Sequence, residues 1–307
     1  MVPVGRPGHT TLVVRSRSST VANFGFELLP APAPPVGLNT AQGDPTIAAA
    51  GDIACPVILP RDERSCHQDD TANLIDSLAP TIVTPLGDEQ YDTGTLPDFE
   101  GSYQSSWGRF LSRSLPTPGN HEYRTIDATD YFAYFGAAAG DPNRGFYSYD
   151  LGAWHVVSLN SNCFYVSCAA GSDQEQWLRA DLATHRTQCT LAYWHHPRFS
   201  SGAEGERLVL EDIWDALYDA GADLVLVGHE HLYERFAPIG LNGAADPERG
   251  IRQITVGTGG RSHSIFRKIK PLSLVRNNAT FGVISLTLHP ASYDWRFVPE
   301  AGRDFTE

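Results

Sequence analysis

The stretch "LVLVGHEHLYER", residues 224–235, joins an apolar β-branched run to two histidines one residue apart, His229 and His231, with Glu230 between them. The run reads as a buried strand whose end the glycine marks. Side chains at i and i+2 of an extended segment share a face, so the spacing predicts that both imidazoles reach into one cleft beyond the strand's carboxyl end. Open α/β sheets bind their ligands at that rim. Taken alone the pair reads equally well as two solvated loop histidines, and only partners elsewhere in the chain can decide.

Outward from this stretch, strands and helices alternate. "PTIAAAGDIAC", "PTIVTPLGDEQY", "GAWHVVSLNSNC", "CTLAYWHH" and "IRQITVGTGG" read as strands; "DDTANLIDSL", "SSWGRFLSR", "SDQEQWLRADLATH" with a Ser172 cap, and "LVLEDIWDALYDAG" read as helices. The end, "FGVISLTLHPASYDWRFV", alternates like an antiparallel hairpin. The pattern predicts an α/β (α+β layered) domain with a mixed sheet or two packed sheets. Residues 1–44 differ: "TTLVVRSRSS" is strand-like and "LLPAPAPPVGL" is a proline-rich spacer, a linker or the remnant of an accessory module. The expected domain therefore covers residues 45–307.

With 307 residues, 41% of them hydrophobic, the chain can bury a large core, and no apolar run approaches membrane-spanning length. The start carries no apolar segment of signal-peptide kind, so any export signal is expected to have been removed or never present. A formal charge of -13 argues against a scaffold that binds nucleic acid by neutralising phosphates. None of the five cysteines lies in a CxxC pair; Cys55 and Cys66, and Cys163 and Cys168, are close enough to staple two loops, with Cys189 as the odd thiol. Two such staples favour an exported (secreted, periplasmic or extracellular) protein over a cytosolic one.

The polar residues fall where chemistry would need them. Asp52 follows "AAAG", Asp88 follows "TPLG", Asn120 follows "TPG", His195 follows "LAYW", and His229 with His231 follow "LVLVG". Asp or Asn after Gly is ordinary turn chemistry at any single place. Together these positions supply carboxylate, amide oxygen and imidazole at strand ends that can meet on one rim. That is the donor set of a two-metal phosphate-ester clamp, in which one carboxylate must bridge.

The ordered motifs "GDIA", "GDEQY", "GNHE", "AYWH" and "GHEH" resemble those of the calcineurin-like metallophosphoesterases, and among them the purple acid phosphatases, whose pattern runs GDxG, GDxxY, GNH(D/E), VxxH, GHxH. The resemblance spans about residue 46 to the end. It implies a β-sandwich of mixed sheets flanked by helices and two metal ions. Asp52, Asp88, Tyr91 and His231 would hold one ion and Asp88, Asn120, His195 and His229 the other, with Asp88 bridging. His229 and His231 would then lie side by side because each faces a different ion. Ala54 stands where other metallophosphoesterases have a metal-binding histidine, so Tyr91 must replace it; Ala192 in place of valine alters packing only. A tyrosinate ligand favours Fe(III) beside a divalent iron, zinc or manganese, and that pair leaves the site net positive inside an acidic protein.

The implied reaction is in-line attack of metal-bound hydroxide on a phosphate monoester, with His121 protonating the leaving oxygen and Glu122 orienting the His121 ring. His196, Arg198, Arg261 and His263 are candidates to line the cleft, and read equally well as surface loop residues. Plant-like purple phosphatases carry a further histidine pair after VxxH; "FSSGAEGE" has none, so the leaving-group side is expected to be built differently. The expected partners are small phosphorylated substrates. A phosphodiesterase acting on nucleotides or phospholipid headgroups, and a non-catalytic phosphate or metal binder, are the alternatives. The sequence leaves the oligomeric state open.

Overall fold

The computed structural model describes residues 10–15, 21–26, 43–185 and 189–307. The chain divides into two compact units, Met1–Ala33 and Pro34–Glu307. In the first, β1 (Thr10–Arg15) pairs antiparallel with β2 (Val21–Phe26), so the strand expected in "TTLVVRSRSS" is half of a two-stranded ribbon. The proline-rich spacer lies outside the described residues.

The second unit contains two mixed sheets. The smaller is built from β3 (Thr46–Ala50), β4 (Ile82–Pro85), β12 (Gly282–His289) and β13 (Ser292–Pro299), in the order β13-β12-β3-β4. β3 and β4 run parallel, while β12 is antiparallel to β3 and to β13. The larger contains β5 (Tyr147–Leu151), β6 (Trp154–Ser158), β7 (Cys189–Tyr193), β8 (Leu224–Val227), β9 (Tyr233–Phe236), β10 (Arg252–Val256) and β11 (Ser273–Asn277), in the order β11-β9-β10-β8-β7-β6-β5. Its centre, β6-β7-β8-β10, is parallel, with antiparallel strands at both edges.

Parallel strands must be covered on both faces, which is why β3, β4, β6, β7 and β8 read as near-continuous apolar runs and are buried throughout except at Thr46. One core cluster joins the inner faces of the two sheets; a second lies on the far face of the larger sheet, where Leu178, Trp214 and Leu217 from the flanking helices cover Val157, Ala192 and Val225. The helices are α1 (Gln68–Leu78), α2 (Thr129–Phe135), α3 (Asp173–Thr184) and α4 (Glu211–Ala220). Ser172 caps α3 as its sequence predicts, its side chain accepting from the Glu175 N–H at 3.3 Å. "SSWGRFLSR" is helical too, but as a 3-10 turn at Trp107–Arg113.

Both staples form: Cys55 is bonded to Cys66 and Cys163 to Cys168, while Cys189 is buried at the start of β7. No helix among the described residues is long and apolar enough to cross a membrane.

Candidate metal centre

The carboxyl ends of β3 and β4 in one sheet face those of β7, β8 and β10 in the other. The Gly51 N–H donates to the Val256 carbonyl and the Gly259 N–H to the Gly51 carbonyl, both at 2.9 Å, which joins the two rims. Past each strand the backbone turns at once: Asp52, Asp88 and His229 have φ of 60°, 50° and 68°. Left-handed backbone costs a non-glycine residue about 1 kcal/mol or more and survives only where its surroundings hold it. Here the Asp52 N–H donates to the Gly87 carbonyl at 3.0 Å, and the His229 N–H to Asp52 Oδ2 at 2.8 Å. His229 and His231 therefore converge by a tight turn, with the Glu230 N–H donating to the Gly228 carbonyl, rather than by the extended spacing expected from the sequence. The glycines before the polar residues leave room for neighbours. A Cβ at Gly87 would lie 2.6 Å from His195 Nδ1, and one at Gly119 would lie 2.2 Å from Asp88 Oδ1.

Seven side chains meet there as two groups that share one oxygen. The Tyr91 hydroxyl lies 2.8 Å from Asp52 Oδ1, 2.9 Å from Asp88 Oδ2 and 3.0 Å from His231 Nε2. On the other side His195 Nε2 lies 3.3 Å from Asp88 Oδ2, 3.2 Å from Asn120 Oδ1 and 3.2 Å from His229 Nδ1. Asp88 Oδ2 is the atom common to both groups.

The chemistry of this donor set fits a cation. His195 Nδ1 faces the Leu86 carbonyl at 2.8 Å and must donate to it, so in the neutral ring Nε2 turns its lone pair onto oxygens of Asn120 and Asp88 that only accept. That contact is favourable only with a positive charge between the atoms, whether a metal ion or, in its place, a proton on Nε2. Burial alone would lower the His195 pKa, but the charge and hydrogen bond of Asp88 reverse this and raise it to about 9. Burial pushes Asp88 up and the His195 charge more than offsets it, holding the carboxyl well below its usual range. Burial, with His196 and His195 alongside, keeps His229 in the neutral form that ligates metals. Burial and the carboxylates of Asp52 and Asp88 drive the Tyr91 phenol far above its ordinary value, so only a strong positive charge would deprotonate it. The donor set is compatible with a dinuclear centre.

The remaining sequence candidates divide. His121 sits at the site with its ring 4.1 Å from that of Tyr91, its Nδ1–H donating to the Asp92 carbonyl and Nε2 lying 3.8 Å from Asp88 Oδ2. Glu122 does not orient it, which corrects the expectation from the sequence. Its buried carboxylate instead accepts from the backbone N–H groups of Asp88 (2.9 Å), Glu89 (3.0 Å), Gln90 (3.3 Å) and Gly119 (2.8 Å), clamping the loops that carry Asp88 and Asn120. His196 lies at the site, 4.4 Å ring to ring from His229, with Nδ1 2.9 Å from the Ser161 hydroxyl. Arg261 packs its guanidinium 5.1 Å over the Tyr91 ring. Arg198 is turned elsewhere, lining a separate cavity of about 230 Å³ with Phe199 and Lys270, while His263 hydrogen-bonds the His231 backbone and stacks on Phe281 at 3.9 Å. Arg207, which the sequence reading missed, reaches the cleft with Nη2 3.0 Å from His229 Nε2.

The calcineurin-like phosphoesterase family model matches residues 45–233. The chain is 31% identical over 223 residues to purple acid phosphatase 21 of Arabidopsis thaliana, covering 62% of this chain and 49% of that protein. It is 29% identical over 230 residues to human acid phosphatase type 7, covering 66% and 49%. The chain thus spans about half the length of the curated relatives it matches. Among solved structures, the purple acid phosphatase PPD1 from yellow lupin (Lupinus luteus) seeds superposes with a TM-score of 0.69 at 19% identity, over 96% of this chain and 58% of that one, which supports the two-sheet fold. With its motifs in order on the facing rims of two mixed sheets, the chain belongs to the calcineurin-like phosphoesterase family.

Proposed function

We propose that the protein hydrolyses phosphate monoesters at a dinuclear metal centre, in the manner of an acid phosphatase. The observation that carries this reading is the pair of donor groups sharing Asp88 Oδ2. Asp52, Asp88, Tyr91 and His231 would hold one ion and Asp88, Asn120, His195 and His229 the other; Tyr91 favours a trivalent iron on its side beside a divalent iron, zinc or manganese. When bound, such a pair polarises the phosphoryl group and activates water for in-line attack.

The chain's own residues supply the rest. His121 spends Nδ1–H on the Asp92 carbonyl, and its Nε2, which faces Arg124 Nη2 at 3.3 Å, would have to exchange that contact for the proton it passes to the departing alcohol oxygen. Arg207 is the phosphate contact. An imidazole that ligates through Nδ1 carries its proton on Nε2 and cannot accept from Arg207, so the guanidinium needs another acceptor, and a phosphate oxygen suits its fork. The two disulfides support an exported protein.

The test is kcat/KM for p-nitrophenyl phosphate and bis-p-nitrophenyl phosphate with the metal-loaded protein and with Asn120→Ala. Preference for the monoester, abolished in the variant, is expected, and Arg207→Ala should weaken competitive inhibition by inorganic phosphate by about tenfold or more. Preference for the diester makes the protein a phosphodiesterase, and no turnover with any metal leaves a binding protein.

A further inference from the structure

Beside the metal centre a cavity of about 480 Å³ is lined by Asn120, His196 and Arg207 on one side and by Phe164, Tyr165 and Val209 on the other. The second set is exposed: 93% for Phe164, 52% for Tyr165 and 55% for Val209. Apolar side chains scattered singly on a surface need no explanation, but three around one opening that shares its wall with the candidate ligand Asn120 mark a binding face.

The loop that carries the two rings is held in place. The Cys163–Cys168 disulfide closes their loop, and the N–H groups of Tyr165 and Val166 donate to the Asn162 carbonyl at 2.8 and 3.0 Å. Asn162 Nδ2 donates to the Pro118 carbonyl at 3.1 Å, tying the loop to the turn that leads to Asn120. Tyr165 stacks on Tyr123 with centroids 4.5 Å apart, and Phe164 stands nearly perpendicular to Tyr165, at 5.3 Å and 83°. A corner of two perpendicular rings on a closed loop offers a planar guest one stacked and one edge contact.

We infer that this corner selects the alcohol part of the substrate: the site favours phosphate esters whose alcohol carries a flat aromatic group, with Phe164 and Tyr165 as the specificity-determining residues. The inference rests on the phosphoesterase reading above and says which esters that site prefers. The phosphate end would lie toward Arg207 and the candidate ligands, and the ring toward Phe164.

Two substrate pairs test it, each holding the acidity of the leaving alcohol nearly constant: adenosine 5′-monophosphate against ribose 5-phosphate, and benzyl phosphate against ethyl phosphate. In the metal-loaded protein the aromatic member of at least one pair is expected to win in kcat/KM by about fivefold or more, the lower end for a base stacked on an aromatic side chain. A preference in the first pair alone identifies a nucleobase, and in the second an aryl ring. The ratio should fall to about one in Phe164→Ala/Tyr165→Ala and keep its full value in Leu274→Ala, an exposed apolar residue on β11. Ratios near one in both pairs for the unsubstituted protein, or ratios unchanged by the double substitution, overturn the inference. Should none of the esters turn over, the phosphoesterase reading fails by itself. Calorimetric Kd values for the same pairs then decide: tighter binding of the aromatic member, lost in the double variant, supports the inference, and equal Kd values overturn it.

Discussion

The Glu122 clamp gives a prediction that separates scaffold from chemistry. Glu122 Oε2 accepts from Asp88 and Gly119, and Oε1 from Glu89 and Gln90, all backbone donors in a buried site. Glu122→Gln keeps the shape but turns an NH2 onto one pair of those donors, leaving two N–H groups without an acceptor whichever way the amide lies. At about 1–3 kcal/mol for each buried donor left unmet, with part of the cost recovered by local relaxation, the substitution should destabilise the fold by about 3 kcal/mol. For a domain of this size that lowers Tm by roughly 5–6 °C. The assay is calorimetry on the metal-free protein, paired with metal content after equilibrium dialysis. Glu122→Ala, which removes the acceptor of all four donors, should lower Tm and metal content at least as far. A Glu122→Gln variant with unchanged Tm and full metal content, but a shifted pH–rate profile, would refute the clamp and restore Glu122 as the orienter of His121.

Three further outcomes are expected. Loading with Fe(III) should produce a visible tyrosinate charge-transfer band, absent in Tyr91→Phe, read by absorption of the reconstituted protein. Gly119→Ala should abolish retention of metal on dialysis, because its Cβ would come 2.2 Å from Asp88 Oδ1. On β6, next to the edge strand of the larger sheet, burial would lower the pKa of His155, but hydrogen bonds to Asp181 at 2.7 Å and Asp150 at 2.8 Å raise it. A raised folded-state pKa gives stability that is fully present below the unfolded value of about 6.5 and is lost as pH rises through the folded value. The Tm advantage over His155→Gln should therefore shrink above about pH 6.5, and an advantage that grows with pH would contradict this.

The strands that carry the candidate ligands are legible in the sequence because parallel strands between covering layers must be apolar throughout. "TIAAA", "LAY" and "LVLV" show this, and the polar residue after each stands out against the run. β9 and β11 were not legible: Glu234 lies inside β9, buried, accepting from the Ser201 N–H and the Ser273 hydroxyl, and such a residue breaks the pattern that marks a strand. Glu122 was misread because its chain neighbour is His121, whereas its four donors come from segments that only the fold gathers. Arg207 stands in an irregular loop, where a lone cation carries no periodic signal. The aromatic pair in "NCFYVSC" reads as an ordinary disulfide loop until its position beside Asn120 is known.

The joining of the two rims has a consequence for assembly. Asp52 lies just past β3, and β3 has β4 on one side and β12 on the other, where Ala49 pairs with Ile284. During synthesis the strand bearing one candidate ligand thus waits for a partner made after all the other candidate ligands. Loops closed over such separations form slowly. Metal capture becomes a late event that reports completion of the whole fold, and a chain interrupted before residue 282 should neither retain metal nor protect the β3 amides from hydrogen exchange.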